Sequence, residues 1–352
     1  MTEWDCDWEC ERVVFSFIKN LFSSGEPHAS VYSRDELEKH IEMAVEHFDS
    51  RLKLIPGYRK KLAPAVENAL IHTDALIAEL PGPVDLSRQA YSIDPRVNAY
   101  FGSVDQIEHV FSHSADFREF VKRAESFSLT HGYALMVMSR QEKSVLGHAQ
   151  VGDMIQSEVM QQVVNFSGHQ LVKPADSEES VRYDLRERAF QHLIAEAVLK
   201  LARHTEEKAD LDRERIHLKM ELKTLRAEDG ALDFVAEEID QSRSRADQLR
   251  KQLAEVELKH DKATRGLETI NDYFELLVNV LNHSDVYCGL ENRSDCLGQH
   301  NVVVDSNNGS EVPYAEIRIG ELQRYGVIVK YPLNELKEQS RIASQMNSIY
   351  GQ

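Results

Sequence analysis

The most regular hydrophobic pattern in the chain lies between Ser177 and about Ser284. In its second half, residues suited to a helix core recur at alternating steps of three and four, the heptad spacing of helices that pack along one side. Only Ser242, Ala246, His260 and Ala263 among these positions are small or polar. We therefore expect one long helix through Leu232, Val235, Ile239, Ser242, Ala246, Leu249, Leu253, Val256, His260, Ala263, Leu267, Ile270, Phe274, Leu277 and Leu281.

The first half carries the same spacing, interrupted by Lys208 and Arg215. No proline occurs between Ala175 and Val312, and Gly230 suits a helix end. Two helices joined by a short loop fold back antiparallel. The pattern thus predicts a hairpin over residues 177–284 with its turn near 228–231. The first-half positions are Ile194, Ala197, Leu201, His204, Lys208, Leu211, Arg215, Leu218, Leu222 and Leu225.

Folding about residue 229 would place Arg215 opposite Ser242. A single continuous helix that pairs in parallel with a second copy is the alternative, because one glycine costs only about 1 kcal/mol inside a helix. Polar core positions weaken the packing of two helices. Pairing between the hairpins of two copies is therefore a further alternative.

Residues 1–80 are acidic and predict helices. Ser33 and Glu36 have the spacing of a capping box, which opens a helix that runs to about Leu54. A further helix is expected from about Tyr58 to Glu79.

Residues 81–176 predict short helices and then short antiparallel strands. Asp94, Ser103 and Ser114 stand where helix caps are expected. Arg140–Lys143 would turn the chain, and Gly168 would separate the last two strands. The expected strands are Tyr133–Met138, Ser144–Leu146, Glu158–Phe166 and His169–Val172.

Residues 285–352 predict a second strand-forming region and a polar C-terminal helix over Asn334–Ile349. Asp285–Gln299 looks irregular. The expected strands are Asn301–Val304, Ala315–Ile319 and Gly326–Tyr331. Because the hairpin brings its two ends together, both strand regions lie near its base and could share one sheet. The sequence therefore predicts an α+β fold, predominantly helical, in which a small mixed body carries a long antiparallel coiled-coil hairpin.

Charge and hydropathy limit which partners and which cellular location are expected. The net charge is −18, whereas phosphate contacts need a basic surface, so no nucleic-acid partner is expected. No apolar run approaches 18 residues, and the acidic start lacks the basic segment of a signal peptide. Four cysteines are too few for a disulfide framework in a chain of this length. We expect a cytoplasmic protein without a membrane span.

Two groups of residues could carry chemistry. His283, Cys288, Cys296 and His300 are the residue types that bind zinc, but the two cysteines are farther apart than in common zinc motifs. We predict no cofactor and keep a structural zinc ion as the alternative. Histidine with a carboxylate suits a metal ion or a general base, and ordinary turn histidines are the simpler interpretation. The candidates at predicted strand ends are His131, His148, Asp153, Glu158 and His169.

Trp4 and Trp8 lie among acidic residues within or before a helix predicted over residues 1–24. Exposed tryptophan is a common interface anchor, so this segment could dock on a partner. Packing against the protein's own body is the alternative.

The sequence favours a non-enzymatic interaction or assembly protein, a homo-oligomer that uses the hairpin to bind a protein partner or a second copy. Motifs such as a phosphate-binding glycine loop or a nucleophile elbow do not occur in the sequence. The alternative is an enzyme with its site in the α+β body and the hairpin as a dimerisation or docking arm.

Overall fold

The computed structural model describes residues 31–123, 129–151, 154–229, 236–264, 267–305, 307–320 and 322–335. It shows a mixed fold of helices and a sheet, which confirms the expected combination of α and β structure. The helix predicted over residues 1–24, with Trp4 and Trp8, lies outside the described residues. So does nearly all of the helix predicted over Asn334–Ile349.

Four helices form a bundle with its own hydrophobic core. They are α1 (Arg34–Phe48), α2 (Tyr58–Ala78), the first half of α7 (Glu178–Asp229) and α9 (Ile270–Asn282). A short 3₁₀ helix over Ser50–Leu54 joins the first two. The Ser33 side chain accepts a hydrogen bond from the Glu36 backbone nitrogen, which confirms the predicted start of α1. The core includes Ile41, Val45, Leu62, Val66, Leu70, Phe190, Leu193, Ile194, Leu277 and Leu281.

One six-stranded sheet forms the second layer. Its strands are β1 (Val84–Asp85), β2 (His131–Val151), β3 (Met154–Ala175), β4 (Cys288–Leu297), β5 (Ser310–Ile319) and β6 (Leu322–Pro332). The order is β3-β2-β6-β5-β4 with antiparallel neighbours, and β1 runs parallel to β6. Both strand-forming regions of the sequence contribute, because Ala134 of β2 lies opposite Val329 of β6.

Four short helices cover the first face of the sheet: α3 (Arg88–Ile93), α4 (Pro95–Tyr100), α5 (Val104–His113) and α6 (Ala115–Lys122). The side chains of Asp94, Ser103 and Ser114 cap α4, α5 and α6, as the sequence predicts. Successive side chains of a strand point to opposite faces. Met136 and Met138 therefore join the core under these helices.

The second face of the sheet packs on the start of α7 and the end of α2. Leu135 of β2, Ala315 of β5 and Ile328 of β6 meet Val181 and Leu185 of α7 there. Helix α7 thus touches the sheet with its first turns and the bundle with its next turns.

The predicted division of the first strand region is wrong. The segment Arg140–Lys143 does not turn the chain, since β2 runs unbroken from His131 to Val151. Beyond Met138, β2 pairs with β3 and no longer with β6. The resulting two-stranded ribbon is exposed over residues 141–146, so its strands are polar and resemble a turn in the sequence.

Gly168 does not end a strand either. It lies inside β3 with a φ of 65°, at a register shift where Val137 faces Gln170 and Ser139 faces Ser167. The extra residue makes this a β-bulge, a position where glycine is favoured.

The expectations for residues 285–304 are also wrong. Asp285–Gln299 contains the short helix α10 (Ser284–Tyr287) and the regular edge strand β4. The segment predicted as a strand, Asn301–Val304, begins in a 3₁₀ turn over Gln299–Asn301, and Val302 and Val303 make only isolated bridges. Edge strands tolerate polar residues on both faces. The sequence of β4 therefore lacks the hydrophobic alternation by which a strand is recognised.

The long second helix is divided. Helix α8 (Ala236–Thr264) ends before residue 265, and α9 starts at Ile270. Thr269 and Asp272 form a reciprocal capping box that begins α9. The expected uninterrupted helix through Leu281 is therefore wrong, although α9 keeps the apolar face that the heptad spacing indicates.

Helices α7 and α8 pack side by side, with Leu218 and Leu222 of α7 against Leu249 and Val256 of α8. They run antiparallel, because residues with increasing sequence numbers on α7 contact residues with decreasing sequence numbers on α8. The ion pairs that show this are Asp212–His260 (3.1 Å), Lys219–Glu257 (2.8 Å) and Glu221–Arg245 (2.7 Å).

For each of these three ion pairs, the midpoint in sequence between the two residues lies beyond Gly230. The register predicted by folding about residue 229, with Arg215 opposite Ser242, is therefore wrong. Part of the predicted turn near 228–231 falls on residues 230–235, which lie outside the described part of the chain, so the position of the turn stays a prediction.

A polar network fixes α1 against α7. The Glu187 carboxylate lies 2.7 Å from Nε2 of the fully buried His40 and 3.2 Å from Lys39 Nζ. Burial pushes the pKa of Glu187 upward, but the hydrogen bonds and charges of His40 and Lys39 outweigh it and hold that pKa below its usual value. Glu187 therefore stabilises the fold as a carboxylate.

Replacing Glu187 by Gln should lower the free energy of unfolding by about 2 kcal/mol at pH 7, the scale of a hydrogen bond to a charged group. A carboxyl with a depressed pKa stabilises above its unfolded pKa, and the effect is lost as pH falls through the folded pKa. The difference between wild type and Glu187→Gln should thus shrink from pH 6 to pH 3. Urea denaturation at each pH measures it, with the exposed Glu206→Gln as the control. A difference that stays constant with pH would refute this role.

Candidate functional site

The three candidates whose side chains the structure describes, His131, Glu158 and His169, are not brought together. His131 and His148 lie seventeen residues apart on β2, which is roughly 55 Å at the rise of a β-strand. Glu158 is exposed on β3 with a φ of 61°. Asp153 and the side chain of His148 lie outside the described residues.

His169 occupies a distinct environment on the first face of the sheet. Its ring stacks on Phe101, with centroids 4.5 Å apart. Burial lowers its pKa, opposed by a hydrogen bond with the Tyr100 backbone. It lines an open polar cavity of about 430 Å³ together with His109, His113, Asp116 and Arg188, among others. The sequence did not single out His109 or His113, and their spacing on one face of α5 is the signal that could have found them.

The four zinc candidates, His283, Cys288, Cys296 and His300, do not form one metal-binding group among the described residues. Cys288 begins β4 and Cys296 stands near its end, roughly 26 Å away at the rise of a strand. His283 is exposed, with Nδ1 2.9 Å from the Asn279 carbonyl oxygen. Among the described residues, no group of three or more His, Cys, Asp or Glu side chains could hold a metal ion.

Cys288 is buried, and this burial, with a contribution from the charge of Glu196, raises the pKa of its thiol to about 12. Since the thiolate is the reactive form, Cys288 in the native protein should react with iodoacetamide at pH 8 roughly 100-fold more slowly than Cys296. Peptide mass spectrometry over a time course measures both rates, with the urea-unfolded protein as the control. Equal rates for the two residues in the native protein would contradict the burial of Cys288.

An apolar cavity of about 360 Å³ lies between α7 and the second face of the sheet. Val181 and Leu185 of α7 are packed on the sheet, but the next residues on that helix face are Arg188, Ala189 and His192. Ala189 is too short to fill the space. The walls are mainly aliphatic: Leu76, Ile77, Leu80, Leu135, Val137, Val172, Leu185, Leu290, Ile317, Ile319 and Leu322.

The polar groups of this cavity are cationic or neutral. Arg188, Arg318 and Arg324 line it, and among the described lining residues there is no aspartate or glutamate. Arg318 is 3.3 Å from Glu291, whereas no carboxylate among the described residues pairs with Arg188 or Arg324. Sequence periodicity missed this site because its lining comes from seven separate helices and strands.

His192 stands at the inner wall of the cavity. Its Nε2 atom is buried and makes no hydrogen bond, although Glu196 Oε1 lies 3.5 Å away. Burial lowers the pKa of His192, and the nearby Glu196 charge opposes this. His192 is therefore a polar group at the cavity wall with a buried Nε2 atom that makes no hydrogen bond.

The second candidate feature is the outer part of the α7–α8 pair, which we call the arm: residues 205–229 of α7 with all of α8. The bundle core uses α7 as far as Leu201, and beyond it the apolar partners of α7 come from α8. Ile216 and Met220 remain 54% and 67% exposed on the arm. They lie two residues before and after Leu218, whose side chain faces α8, and so they point away from α8.

No protein-family model, curated protein or solved structure matches the chain. In the described part of the chain, every helix is too short or too polar to cross a membrane.

Proposed function

We propose that the protein is a non-enzymatic interaction or assembly protein. In this proposal the arm is an antiparallel coiled-coil hairpin, and two copies of the chain associate through it. The observation that carries the proposal is the exposed pair Ile216 and Met220, one helical turn apart on the side of α7 opposite α8.

The length of α7 supports this role. Its 52 residues correspond to about 78 Å, and only the first half, as far as Leu201, is used by the bundle and sheet. The remaining helix adds exposed surface without adding to those cores. A fold that needed α7 only for its own stability would not require that length.

The charges of the arm support association through apolar groups. Arg213 pairs with Asp210, Arg215 with Asp212, and Lys219 with Glu257. Because these charges are neutralised within the chain, they do not repel a second copy. A two-fold interface uses the same patch on both subunits, so Ile216 and Met220 of one copy would meet those of the other.

The enzyme alternative has less support. Its candidates are spread over β2 and β3 rather than gathered in one cleft, and Asp153 lies outside the described residues. No observation on the described residues favours a reaction at His131, His148 or His169.

The double variant Ile216→Glu/Met220→Glu should convert a wild-type dimer to a monomer, because it places like charges at the centre of the proposed interface. Light scattering after size-exclusion chromatography at about 50 μM measures the mass. The melting temperature should change little, since both side chains are exposed.

The matched control is Leu199→Glu/Val286→Glu, which adds the same charge at two exposed apolar positions outside the arm. This control should remain dimeric. The proposal fails if the wild-type chain is a monomer, or if the Ile216→Glu/Met220→Glu variant keeps the dimer mass.

A further inference from the structure

The cavity between α7 and the sheet has the dimensions and lining of a small-molecule site. Ligand cavities usually measure about 300–1,000 Å³ and combine apolar walls with a few polar groups, and this cavity measures about 360 Å³. Its aliphatic walls come from β2–β6, α2 and α7. An apolar group that entered it would leave water, which is favourable in proportion to the area buried.

The entrance is apolar on one side. Ile319 and Leu322, beside the β5–β6 connection, are 39% and 63% exposed although both line the cavity. Gly320, which lies between them in sequence, has a φ of 57°, a backbone conformation that glycine adopts readily. Ile319 and Leu322 are therefore exposed apolar side chains at the entrance, which a bound aliphatic chain would cover.

The charge of the cavity is the opposite of the charge of the protein. The chain carries a net charge of −18, yet three arginines and no acidic residue line this cavity in the described part of the chain. Arg188 and Arg324 reach it from different elements, α7 and β6, and neither is paired with a carboxylate of the described residues. Guanidinium groups bind carboxylates and phosphates with matching geometry.

We propose that this cavity binds an anionic amphiphile, a molecule with an aliphatic chain and a carboxylate or phosphate head. The chain lies against Leu135, Val137 and Ile317, and the head meets Arg188 and Arg324. His192 offers a polar contact at the inner wall. Glu196 and Glu291 stay outside the lining, beside His192 and Arg318 respectively. The site is independent of the arm and of self-association.

Isothermal titration of the full chain with decanoate and with decyl phosphate, each below its micelle concentration, tests the site. At least one of the two anions should bind with one-to-one stoichiometry. Which of them binds more tightly distinguishes a carboxylate head from a phosphate head. Decyltrimethylammonium has the same chain with a cationic head and should bind at least tenfold more weakly.

Two variants locate the binding. Arg188→Gln/Arg324→Gln should weaken anion binding at least tenfold, and it should fold normally because both side chains are exposed. Ala189→Leu should also weaken binding, since the larger side chain projects into the cavity. The matched control is Arg118→Gln, an exposed arginine on α6 at the other face of the sheet.

Three results would overturn the proposal. The first is that neither anion binds at millimolar concentration. The second is that the cationic amphiphile binds as tightly as the anions. The third is that the arginine double variant binds with wild-type affinity. If Ala189→Leu does not fold, the arginine variant alone decides.

Discussion

Val181 and Leu185 of α7 pack on the sheet, and Phe190 and Leu193 of the same helix fill the core of the bundle. One helix is therefore buried by two different layers within about four turns. The bundle and the second face of the sheet both pack on α7. The sheet, α2 and α9 therefore assemble around this one helix. The network of Glu187 with His40 and Lys39 fixes α1 to the same turns.

Along α7 the packing partner changes from the sheet to the bundle and then to α8. This change explains both the cavity and the arm. Where the helix leaves the sheet and enters the bundle, neither layer fills the space beside Ala189, and the cavity forms there. Arg188 and His192 are tolerated on this face because they border that space and not a packed core. Farther along, α7 leaves the body as the arm, where α8 covers one side and leaves Ile216 and Met220 exposed.

Local signals predicted the fold best. The caps at Ser33, Asp94, Ser103 and Ser114 depend on residues two or three positions apart, and the structure confirms each of them. The heptad spacing indicated the residues that α7 and α8 share, since Leu218, Leu222, Leu249 and Val256 all lie in their common core.

Signals that depend on distant neighbours were missed or misread. The heptad spacing continues in the sequence past Gly266 and the capping pair Thr269–Asp272. It therefore predicted one helix where the structure has α8 and α9. The exposed ribbon of β2 and β3 resembled a turn, because a strand with water on both sides has no apolar alternation. The cavity could not be seen in the sequence, because Ala189, Leu135 and Arg324 become neighbours only when α7, β2 and β6 assemble.

The most direct test of the account replaces residues 205–264 by a short Gly-Ser linker and compares the shortened chain with the wild type by sedimentation equilibrium. The body should remain folded, because no arm residue that the structure describes belongs to the cores of the bundle or of the two sheet faces. We expect a folded monomer for the shortened chain and a dimer for the wild type. A shortened chain that still forms dimers, or that no longer folds, would contradict it.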